Sequence, residues 1–279
     1  MTTTTLEPTA PEVRQPAPIP QVSNHIGMRR TLANSLTMAY RGLLKIKHNP
    51  EQLFDVTIQP ILFTGLFTYI FGGAIAGSVH SYLPILIPGI LVQTVVLTSV
   101  VTGTQLREDM DKGVFDRYKS LPIARIAALA GALIADMARY GIATTLTIGM
   151  GLILGYRPGG GVAGVLTAGL IVVFCSFAIS WIWALVGVTG KSAAAVQGIS
   201  MMIMFPLTFM SGAFASVATM PGWMQAINKA NPIYYMVNAC RELMNGNVYS
   251  HNLVFSVVGS AIVILIFAPL AVRAYMRRA

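Results

Sequence analysis

The chain has 279 residues, of which 54% are hydrophobic and only 10% charged, and its net charge is +9. A soluble globular domain carries about 25% charged residues, so this sequence cannot cover a soluble surface. Its apolar residues fall in long unbroken runs, which predicts an all-α polytopic membrane protein. The basic balance is read as Lys and Arg in cytoplasmic loops meeting anionic lipid head groups. The sequence has no Arg and aromatic strand pattern of the kind that binds nucleic acid, so no nucleic-acid partner is expected.

Residues 1–27, MTTTTLEPTAPEVRQPAPIPQVSNHIG, are rich in Thr and Pro and hold no apolar core. They are expected to form a disordered cytoplasmic tail. From Met28 to Gln52, the residues Leu32, Leu36, Ala39, Leu43, Leu44 and Ile46 recur near helical spacing between Arg29, Arg30, Arg41, Lys45 and Lys47. That pattern predicts an amphipathic helix lying on the inner membrane surface.

Six spans follow, since crossing the hydrocarbon core takes about 20 apolar residues. They are Phe54–Ile75, Pro84–Gly103, Ile126–Tyr156, Gly164–Val188, Ala193–Ala215 and Leu253–Val272. With both termini inside, fifteen Lys and Arg lie on inner segments. Only Arg157, Lys229 and Arg241 lie on outer ones, and Arg139 lies near a boundary. The asymmetry fixes the orientation, with the N- and C-termini cytoplasmic. Asp136 and Arg139 are three residues apart on the third span and share a helix face. They are read as an interfacial ion pair that sets helix depth, with a proton or substrate relay as the alternative.

Between the second and third spans runs QLREDMDKGVFDRYKSLPIAR, Gln105–Arg125. Charges alternate there with Met110, Val114, Phe115 and Tyr118. The pattern predicts a short cytoplasmic helix whose apolar side docks into a partner while its charges set the register. The outer segment, residues 216–247, is moderately apolar but interrupted at Pro221, Gly222 and Pro232. It predicts two short helices that dip into the outer leaflet and emerge again near Arg241 and Glu242. Trp223, Tyr234 and Tyr235 suit the interface there.

At these segments the chain resembles the permease subunits of ABC type-2 exporters, in particular the daunorubicin- and doxorubicin-resistance type. The resemblance is carried by Asn49-Pro50, Pro60, Phe71-Gly72-Gly73, the Arg107, Glu108, Gly113 loop leading to SLPIAR, and Gly155-Tyr156-Arg157. The SGAF…MPGW…NPIYY run ending at Arg241 is its most specific part. It implies that residues 28–279 form one transmembrane domain that pairs with a second copy or a sister permease. It also implies a separate ABC ATPase subunit, which would carry the ATP and Mg, leaving this chain without cofactor or enzymatic activity of its own. Coupling to that ATPase would fall to Arg107, Glu108, Asp109, Asp111, Lys112, Gly113, Phe115 and Arg117. The outer re-entrant segment would be marked by Gly212, Pro221, Trp223, Asn231, Pro232, Tyr234 and Arg241. The substrate class implied is a hydrophobic or amphipathic drug or lipid, exported across a bacterial plasma membrane. Composition and spans alone leave two other readings open, an ion-coupled secondary transporter and a non-transporting membrane scaffold.

One tripeptide points elsewhere. Gly190-Lys191-Ser192 ends like a nucleotide-binding P-loop, but that motif needs Gly at position 185, where this chain has Leu185. The tripeptide is read as a cytoplasmic turn between the fourth and fifth spans. The four His and two Cys show no metal-ligand or triad spacing, so neither a metal site nor a catalytic residue is expected.

Overall fold

The computed structural model describes residues 28–48, 50–114, 125–247 and 250–278. The expected N-terminal tail, Phe115 and Arg117 lie outside them. Among the described residues every regular element is helical: α1 (Met28–His48), α2 (Pro50–Ala76), α3 (Val79–Asp111), α4 (Arg125–Ile153), α5 (Gly161–Thr189), α6 (Ala193–Met210), a 3-10 turn (Val217–Thr219), α7 (Gly222–Ala230), α8 (Pro232–Met244) and α9 (His251–Arg278). Six of them, α2 to α6 and α9, are long and apolar enough to cross a membrane. In lipid the backbone must satisfy its own hydrogen bonds, which is why apolar runs of this length become helices.

α3 is the hub. It is apolar all round and buried along most of its length, as a central helix must be. α2, α4, α5, α6 and α8 pack on it, whereas α9 packs on α5 and is largely exposed. The core joins Leu83, Ile87, Leu91 and Val95 of α3 to Val172, Cys175 and Trp183 of α5 and to Val237 and Cys240 of α8. Both cysteines are free and buried.

Small residues let the helices approach. α3 and α5 cross at Gly103 and Gly187. A β-carbon on Gly103 would overlap the Trp183 carbonyl, and one on Gly187 would overlap the Gly103 carbonyl. Gly89 lies in the same way under the backbone of Ala213. Membrane helices gain their packing through such contacts, because lipid offers no hydrophobic incentive for association.

The helices differ in extent from the expected spans, most of all in the second, fifth and sixth. The second spanning helix starts at Val79 and runs to Asp111, well beyond Pro84–Gly103. It is 33 residues long, on the order of 50 Å at 1.5 Å per residue. Ser78 caps it, its Oγ accepting from Ser81 N at 3.2 Å, and charged residues at its far end do not break a helix that has left lipid. The fifth helix stops at Met210 rather than Ala215, because Gly212 takes φ +80° and turns the chain back. The sixth extends to Arg278.

α1 lies against α4, with Ser35 and Ala39 buried and Gly42 and Gly131 allowing close contact. Leu32, Leu36, Tyr40 and Leu43 form a stripe on the opposite, exposed side, and Arg29 and Arg41 are exposed. The apolar period seen in the sequence is therefore divided, small residues facing the protein and large ones facing out.

Candidate functional site: the charged end of α3 and the segment between α6 and α9

Arg107, Glu108, Asp109 and Asp111 form the last turns of α3 itself, not a separate loop. Along that end, Arg107 pairs with Asp111 and Lys112 Nζ lies 3.2 Å from Glu108 Oε2, both one turn apart. The helix terminates at Lys112, whose backbone N–H donates to Glu108 O, and Gly113 follows at φ +65°. An L-residue with a side chain is strained at that φ, so the glycine is what allows the chain to leave α3 at this angle. The part of the expected docking helix that falls on residues 115–124 lies outside the described residues.

Asp136 and Arg139 pair on α4, with 2.9 Å between Arg139 Nη1 and Asp136 Oδ1. Their side chains are 7% and 3% exposed, so the pair is enclosed between α3 and α4. α3 completes it. Thr102 Oγ1 donates to Asp136 Oδ2 at 2.7 Å and lies 3.1 Å from Tyr140 Oη, while Arg139 Nη2 donates to Gln105 Oε1 at 2.9 Å. These bonds offset part of the desolvation cost of burying the pair. Thr102 and Gln105 are polar residues that the sequence reading passed over. Their spacing of three, which puts them on one face of α3, was the available signal.

The segment between α6 and α9 holds the second cluster. Asn231 and Pro232 start α8 by cap chemistry: Asn231 Oδ1 accepts from Ile233 N at 3.0 Å, and Pro232 takes the first helical position. Asn231 Nδ2 also donates to Leu207 O on α6 at 2.8 Å. Pro221 precedes α7, Trp223 is exposed, and Tyr234 packs edge-on against Tyr235.

Arg241, expected near the point where this segment emerges, is part-buried and bonded to the protein. Its Nη2 donates to Ile85 O on α3 at 3.0 Å and to Gly212 O at 3.1 Å, and its Nη1 to Asn238 Oδ1 at 3.3 Å. Burial lowers its pKa below the usual guanidinium value. Tyr82 Oη adds a bond to Phe214 O at 2.7 Å. Beside it, Phe214 stacks on Phe67 of α2 at 4.4 Å and reaches Phe209 of α6 at 5.0 Å. An aromatic seam thus joins α2 to α6.

Gly190-Lys191-Ser192 is cap chemistry as well. Gly190 closes α5, its N–H donating to Val186 O at 2.8 Å, and Ser192 caps α6, its Oγ accepting from Ala195 N at 3.2 Å.

This six-span bundle, with a charged extension of its central helix and a broken outer segment, matches a known family. Residues 34–245 match the model of the ABC-2 type transporter. The chain belongs to the ABC-2 type transporter family. This permease is 41% identical over 274 residues to the daunorubicin resistance ABC transporter permease protein DrrB1 of Streptomyces coeruleorubidus, covering 98% of the chain and 97% of the relative. It is 24% identical to the probable doxorubicin resistance ABC transporter permease protein DrrC of Mycobacterium tuberculosis, over 88% of the chain and 89% of the relative. The putative transport permease ycf38 of Cyanophora paradoxa is also 24% identical, over 76% of the chain and 72% of that protein. The permease is therefore a multi-pass membrane protein and the transmembrane component of an ABC transporter.

Proposed function

We propose that this permease exports a hydrophobic or amphipathic compound, a drug or a lipid, outward across a bacterial plasma membrane. The near full-length similarity to a permease named for daunorubicin resistance carries this reading. A separate ABC ATPase supplies the energy and holds ATP and Mg, and it docks on the cytoplasmic end of α3. Support for that surface comes from the exposure of Glu108, Asp111 and Lys112 beyond the apolar length of the helix. Gly113, Phe115 and Arg117 carry the docking surface onward. Both termini face the cytoplasm, in line with the Lys and Arg distribution. α1 rests on the inner leaflet through Leu32, Leu36 and Leu43, and α7 and α8 dip into the outer leaflet.

A second permease copy or a sister permease completes the pathway. The apolar side chains exposed on α2 and α6, among them Leu62, Leu66, Met202 and Phe205, are available to it and to lipid. The cargo path has apolar and aromatic walls, which suit a cargo with a large apolar body.

The test is reconstitution with a candidate ATPase in proteoliposomes and export of a lipophilic dye. ATP-dependent export that disappears with a hydrolysis-dead ATPase is expected. Export that persists with the dead ATPase and follows an imposed proton gradient would refute the proposal in favour of secondary transport.

A further inference from the structure

We infer that Arg107 is a positioning residue that ties the cytoplasmic end of α3 to the α5–α6 turn, so that α3 and the start of α6 move together. The inference rests on the reading that the ATPase engages the end of α3. Two successive turns of α3 contact this region through three residues. Gly103 meets Gly187 of α5 backbone to backbone. Thr104 Oγ1 then donates to Gln197 Oε1 of α6 at 2.7 Å. Arg107 Nη1 finally donates to Gly190 O at 3.1 Å, while its Nη2 holds Asp111.

The chemistry suits a guanidinium. Gly190 closes a 29-residue helix, and the last carbonyls of a helix lack intrahelical donors and carry its negative partial charge. The planar fork of Arg can serve that carbonyl with one nitrogen and a carboxylate with the other, whereas the point charge of Lys cannot reproduce both. Asp111, one turn further along α3, thereby holds the guanidinium against the turn. From the other side Arg278 Nη2 donates to Thr189 O at 3.3 Å. The turn is gripped by α3 and α9 together.

Exposure divides the labour at the end of α3. The Arg107 side chain is 16% exposed, against 45% for Glu108 and 66% for Lys112. Glu108 and Lys112 face outward to a partner, and Arg107 faces inward to the permease. A displacement applied to the outward pair reaches the first turn of α6 through Arg107.

The experiment uses the full-length permease with Cys175 and Cys240 replaced by Ala and spin labels on Lys112→Cys and Lys191→Cys. The distance distribution between the labels is measured without ATPase, so it does not depend on the docking reading. A narrow distribution is expected for the parent, a broadened one for Arg107→Ala and an intermediate one for Arg107→Lys. With the ATPase added to unlabelled permease, in which Lys112 is intact, Arg107→Ala is expected to retain association and basal hydrolysis, because Arg107, though expected from the sequence among the coupling residues, bonds to Gly190 O and is turned toward the permease. Its transport per ATP should fall about tenfold, the scale of one lost charge-assisted hydrogen bond. An unchanged label distance in Arg107→Ala overturns the inference, as does loss of ATPase association, which would make Arg107 a docking residue. If Arg107→Ala does not fold, Arg107→Gln and Thr104→Val are read against the same criteria. Failure of the parent itself to bind any ABC ATPase refutes the docking reading alone, because the label distances then still decide whether the tie exists.

Discussion

Arg241 Nη2 donates to the carbonyl of Gly212, 29 residues earlier in the chain, at 3.1 Å, and the same nitrogen reaches Ile85 O on α3. One part-buried guanidinium therefore fastens the turn that follows α6 to the Ser78-capped end of α3. Both acceptors are carbonyls, so the bonds can break without leaving a buried carboxylate behind.

Arg241→Ala should be markedly destabilised, by about 3 kcal/mol for two buried charge-assisted bonds. Arg241→Lys, with a single point of donation, should fall between. Thermal unfolding of the detergent-purified protein measures this, and an Arg241→Ala protein that melts with the parent would show that the contacts contribute nothing.

The Asp136–Arg139 pair should behave as a buried unit. Asp136→Asn or Arg139→Met alone is expected to cost about 3–5 kcal/mol, because the partner charge remains buried. The double variant should cost less than the two singles together. Strict additivity in a double-mutant cycle would mean that the two side chains do not interact.

Close helix crossings should tolerate no side chain. Gly103→Ala forces a β-carbon into the Trp183 carbonyl and should cost about 1–3 kcal/mol or abolish folding. Gly198→Ala on α6 meets nothing within 4 Å, and removing a helical glycine should leave stability equal or raise it by up to about 1 kcal/mol. The two variants compared in one melting series check the crossing, and equal melting temperatures would contradict it.

Gly113→Ala should weaken coupling without preventing membrane insertion. At φ +65° a β-carbon adds about 1–2 kcal/mol of backbone strain, which redirects the chain as it leaves α3. Reduced ATPase capture by the purified variant is the expected result, and full capture with normal export would remove Gly113 from the docking surface.

Much of this protein was legible locally. Six apolar runs, each long enough for the hydrocarbon core, determined the number and type of spans, because lipid leaves the backbone only helix or closed barrel. The Asn231-Pro232 start of α8 and the Ser192 start of α6 could be read the same way, since caps act over two or three residues. The site was legible as residue types but not as partners. Arg241 was visible as a basic residue in an outer segment, and its burial was not. Asp136 and Arg139 could be paired by helical spacing, but Thr102 and Gln105, which complete them, lie on another helix.

What only the tertiary structure decided is who meets whom across the bundle. α3 is apolar on every side, so it has no polar face from which to infer its neighbours, and its central position emerges only when five other helices pack on it. Its length was hidden too, because a helix leaving the membrane needs no change of conformation, only of composition. The Gly103–Gly187 crossing, the grip of Arg107 on Gly190 and the reach of Arg241 to Ile85 join residues 84, 83 and 156 positions apart. Local periodicity constrains contacts within a few turns. Contacts at such separations depend on how whole helices fit together, and that fit is set by shape and hydrogen bonding in three dimensions.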